Sequence, residues 1–173
     1  TILTFVQKNP ILTFFSIANG TASVYLIIAA ILENSRGLHE ERIFAYLTMV
    51  IGVSYVLLAR TFRGTWNERL VEFLYFFGVT GFLGAAFSEA TQLVIWQFIY
   101  VPVIIGGVFL AISLKSRSIL ISSTLLLVVF VSYITSEYFA NSIGWPLALV
   151  FLGLVFIGLG YLSISISKKY IQA

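Results

Sequence analysis

The sequence predicts an all-α polytopic membrane protein, a six-transmembrane-helix bundle with short loops, and three observations carry that expectation. Of the 173 residues, 60% are apolar and 10% are charged, against about 25% charged in soluble globular domains. A soluble domain of this size leaves roughly a third of its unfolded-chain surface in water, and this inventory cannot cover such a surface. The apolar runs between charges approach the roughly 20 helical residues needed to cross a hydrocarbon core about 30 Å thick. None of them alternates as barrel strands do: Leu125-Leu126-Leu127-Val128-Val129-Phe130-Val131 is unbroken.

The runs place spans at 11–32, 43–59, 70–87, 93–114, 119–135 and 145–166, one transmembrane domain over residues 1–173 with no room for a loop domain. Pro10 suits the first turn of the first span, where a missing N–H is no loss. Trp145-Pro146, with Gly144 before it as the break, opens the sixth span in the same way. The second, third and fifth runs are the shortest, so these helices recruit flanking residues or stand nearly upright. The chain opens on Thr1 rather than Met, which leaves room for a further segment upstream.

Charge sets the expected orientation. Lys8, Arg60, Arg63, Arg69, Lys115, Arg117, Lys168 and Lys169 fall on one side of the predicted spans, and only Arg36 and Arg42 on the other. Basic residues beside a span resist translocation, so both termini are expected in the cytoplasm. Trp96 and Trp145 then lie near the outer interface and Trp66 near the inner one, where amphipathic rings are favoured.

Polar groups inside oil are the candidate sites. In the first span Ser16, Asn19 and Ser23 share a helical face, and an amide in lipid needs a partner, so this face is expected to turn inward. Either it coordinates a substrate or ion at the midplane, or it is a packing seam, with Ala18 and Ala22 on the neighbouring stripe. The fourth span carries Gln97, then Pro102 and Gly106-Gly107, a kink that either shapes the bundle or hinges. Glu72 is the one charge inside a predicted span, and Arg69 lies roughly 4 Å along the axis. It reads as an interfacial ion pair or as a functional carboxylate. Gly78, Gly81 and Gly84 in the third span and Gly153 in the sixth form strips where another backbone can approach. Likeness between the glycine-rich stretches of those two spans hints at a three-plus-three repeat. On the predicted outer side, His39-Glu40-Glu41 with Glu33 reads as a solvated loop or as part of a metal site. Glu89 and Glu137 stand at the mouths of spans as candidate vestibule residues.

Absences exclude much chemistry. There is no cysteine, and aspartate does not occur; the single histidine, His39, cannot furnish a pair of haem ligands. No lysine lies within a predicted span, so a retinal Schiff base is excluded, and no nucleophile elbow or phosphate-cradling loop occurs. A formal charge of +3 is too small to point to nucleic acid. The sequence therefore predicts no catalytic residues, no cofactor and no resident metal.

The stretch from Gly144-Trp145-Pro146 through Gly153 to Gly160-Tyr161 and Lys168-Lys169 resembles the last span of polytopic bacterial inner-membrane proteins of uncharacterised function. That resemblance implies a bacterial inner membrane. The six predicted spans, cytoplasmic termini and Ala18-x-x-x-Ala22 are similar to the substrate-binding subunits of energy-coupling-factor transporters. It implies docking on a membrane partner through small residues. The expected function is a non-enzymatic subunit or scaffold that associates with membrane proteins, or with itself, through small-residue faces. The alternative is a small transporter or channel-like protein with a polar site near Asn19, Ser23, Gln97 and Glu72.

Overall fold

The computed structural model describes residues 9–33, 40–139, 145–166 and 168, and within them the chain is helical with no strand. Six helices follow in order: α1 (Pro10–Glu33), α2 (Glu40–Phe62), α3 (Val71–Gln92), α4 (Val94–Ser113), α5 (Arg117–Phe139) and α6 (Trp145–Ile166). The first five are long and apolar enough to cross a membrane, and Leu152–Ser165 is the apolar stretch of α6. Backbone amides in oil have no partner but one another, which is why every span is a helix.

Several helices outrun their apolar stretches. α2 begins at Glu40 and α3 continues to Gln92, past the boundaries expected at 43 and 87, and α5 spans Arg117–Phe139 rather than 119–135. Hydropathy marks only the part of a helix that needs oil. The hydrogen-bond ladder continues through charged end turns, where long side chains reach the headgroups.

The ends have local causes. Asn9 Oδ1 accepts the Ile11 N–H at 3.0 Å, capping α1 with Pro10 at the first helical position. Between α2 and α3, Gly64 at φ 72° reverses the chain. Thr65 Oγ1 donates to Phe62 O at 2.7 Å and accepts Asn67 N–H at 3.3 Å, and a 3-10 turn, Glu68–Leu70, leads into α3. After α4 the Ser116 N–H reaches back to Ala111 O at 3.1 Å, closing a Schellman-type turn. Lys115 sits in that turn at φ 48°, a place that favours glycine. Buried Ser116 then caps α5 through its Oγ, which accepts Ile119 N–H at 3.5 Å.

The described residues gather into two compact units that divide between Glu89 and Ala90. In the first, α2 and α3 meet at Gly52 and Gly78. A Cβ on Gly52 would stand 2.6 Å from Gly78 O, and one on Gly78 2.8 Å from Gly52 O, so neither position admits a side chain. Phe14 of α1 meets Phe73 of α3 edge to face with ring centroids 5.2 Å apart. In the second unit, α4 and α5 pack through Tyr100 and Phe130, 4.8 Å between centroids, with Ile104, Ala111, Ile119 and Leu126 buried.

Candidate functional site

Which face of α1 turns inward is decided by two tyrosine–threonine pairs. Thr21 Oγ1 lies 2.7 Å from Tyr55 OH, and Tyr25 OH lies 2.6 Å from Thr48 Oγ1. Each threonine spends its hydroxyl proton on its own helix, Thr21 on Ile17 O at 2.9 Å and Thr48 on Phe44 O at 2.7 Å. The tyrosines are therefore the donors across the interface. The Tyr25 ring also stacks near Phe44, 6.3 Å between centroids at 17°.

This seam corrects the expected rotation of α1. Asn19 and Ser23 are exposed rather than turned inward, Ser16 is half-buried, and Ala18, Gly20 and Ala22 are exposed as well. Asn19 Nδ2 donates to Phe15 O on its own helix at 2.8 Å. The reason is contact area: Phe14, Thr21 and Tyr25 share a face whose rings bury more surface and reach farther than a serine–asparagine stripe. The aromatic periodicity was the available signal.

The glycine strips separate into spent and open positions. Gly78 is spent on Gly52, a glycine that the sequence reading did not single out. Gly81 faces α2 with ordinary room, 3.8 Å to Thr48 Cγ2. A Cβ at Gly84 or Gly153 would meet nothing within 4 Å among the described residues.

Gln97 lies on α4, half-buried, and its Oε1 accepts a hydrogen bond from Tyr138 OH on α5 at 2.8 Å. α4 continues unbroken through Pro102, which is exposed. Glu72 stands exposed in the first turn of α3, where a carboxylate complements the helix dipole. At the same end of this unit the Arg63 guanidinium lies over the Tyr75 ring, 5.4 Å from its centroid. His39 lies outside the described residues, and among those residues no three His, Asp or Glu side chains converge as a metal site would require.

Glu89 departs most from expectation. Expected at the mouth of a span, it lies within α3, three residues before its end, and is 1% exposed, with Oε2 accepting no hydrogen bond. It is the one charged side chain buried among the described residues. Leu83, Ala86 and Glu89 follow one another at helical spacing along one face of α3, and the structure shows that face buried.

Fold and surface together define an integral membrane protein of the helix-bundle class, its long apolar helices in contact with lipid. No protein-family model, no curated protein and no solved structure matches the chain.

Proposed function

We propose that this is a non-enzymatic membrane subunit that associates with another membrane helix through the outward face of α1. The observation that carries the reading is Asn19, an exposed amide on an apolar helix, bonded only to its own backbone and on the side away from the Thr21–Tyr25 seam. Lipid tails offer no hydrogen bond, so its oxygen gains a partner only when another helix arrives, a gain of about 0.6–2 kcal/mol. Ala18, Gly20 and Ala22 beside it let that helix come close.

The natural chain has no cysteine, so a single Ser23→Cys variant in native membranes carries a photo-reactive maleimide at one known place. Crosslinking to a second polypeptide, weakened several-fold by Asn19→Leu and retained by Asn19→Gln, is the expected result. Adducts to lipid alone would overturn the reading. Ready reaction of cysteines at positions 19 and 102 with a water-soluble maleimide would instead favour a transport path.

A further inference from the structure

The buried stripe of α3 runs through Leu74, Tyr75, Val79, Leu83, Ala86 and Ala90, and Glu89 joins it as its one acidic member. With the side chain 1% exposed, water does not solvate it, and Oε2 finds no donor among the described residues. A carboxylate left charged in such a place loses its hydration with no counter-charge among the described residues to offset the loss. Neutral, it leaves only a single O–H unpaired, a smaller loss than an unsolvated charge. A bound cation would remove the uncompensated charge. A calcium or magnesium ion would require about six converging oxygens, whereas a proton requires one.

We propose that Glu89 is a proton-binding carboxyl set into the third span, its Oε2 carrying an exchangeable hydrogen inside the membrane. Nothing in this inference depends on the α1 face, and the association reading can fail without affecting it. Ionisable groups buried in spans are the parts from which proton relays are built, so the inference supplies α3 with a chemistry that helix association alone does not use.

Infrared difference spectra of the full-length protein in lipid at neutral pH test it directly. The expected result is a carbonyl band of a protonated carboxyl that shifts in D2O, is absent from Glu89→Gln and persists in Glu72→Gln. Absence of the band from the natural protein, or its persistence in Glu89→Gln, would overturn the proposal. Should Glu89→Gln not fold, carbodiimide mapping of the natural protein decides the matter. Apolar dicyclohexylcarbodiimide, which reacts with protonated carboxyls, should form an adduct at Glu89, and a water-soluble carbodiimide should label Glu68 and Glu72 while sparing it. No adduct at Glu89 with the apolar reagent, or equal labelling of all three by the soluble one, overturns it.

Discussion

Gly52 and Gly78 show how much one hydrogen atom in place of a methyl group decides. Each faces the other's carbonyl oxygen at a distance no Cβ tolerates, and the obstacle is backbone, which cannot swing aside. Gly78→Ala should therefore destabilise the protein by about 1–3 kcal/mol through overpacking, more than offsetting the helix propensity that alanine adds. Gly84→Ala, with open space at its Cβ, should leave the melting temperature unchanged or raise it, since alanine favours a helix by about 0.5–1 kcal/mol. Thermal unfolding of both variants in detergent reads the contrast. In the sequence the two glycines were equivalent members of one strip. Their difference lies in what faces them across the interface, which spacing along α3 does not contain. Lys115 offers the converse case: it occupies a left-handed conformation at φ 48° that costs a non-glycine residue about 1–2 kcal/mol. Lys115→Gly should raise the melting temperature in the same assay; a fall would mean that the lysine side chain offsets its backbone strain.

At the scale of the elements, hydropathy made helix identity legible but not helix rotation. Each span is apolar around most of its circumference, because its outer face meets lipid and its inner face meets other helices. Hydrophobicity alone therefore could not say which side turns inward. The hydroxyl pairs and rings decided it: Thr21 with Tyr55, Tyr25 with Thr48, and Phe14 against Phe73. A double-mutant cycle on Tyr25→Phe and Thr48→Val should give a coupling of about 0.6–1.7 kcal/mol. A coupling of zero would mean that ring packing alone sets the rotation of α1. The same reasoning explains Gln97. Its position on α4 marked it as polar in oil and in need of a partner, and the partner is Tyr138, forty-one residues away on α5.

For the molecule as a whole, the composition demanded a bilayer, and five helices of spanning length and hydropathy answer that demand. The expected orientation rests on the uneven distribution of basic residues alone, a property of the sequence. Alkaline phosphatase and green fluorescent protein reporters fused after Ala173 should give fluorescence without phosphatase activity; phosphatase activity would reverse the expected threading of the chain. Exposed, the α1 face leads to the crosslinking experiment, and buried, Glu89 leads to the infrared one. The two residues exchanged the places the sequence had assigned them. Asn19, expected inside, stands outside because its neighbours on the opposite face are larger and reach α2; Glu89, expected at a span mouth, is drawn in because α3 continues beyond its apolar run.

The sequence by itself determined that this chain lives in oil, that it crosses as helices and roughly where each crossing falls, because those properties depend on transfer free energy and backbone hydrogen bonding summed along a segment. Only the tertiary structure decided which polar groups are paired, which glycines are filled and which carboxyl is buried. These depend on the rotation of each helix about its axis and on its neighbour's surface, and a chain apolar on nearly every face carries little record of either.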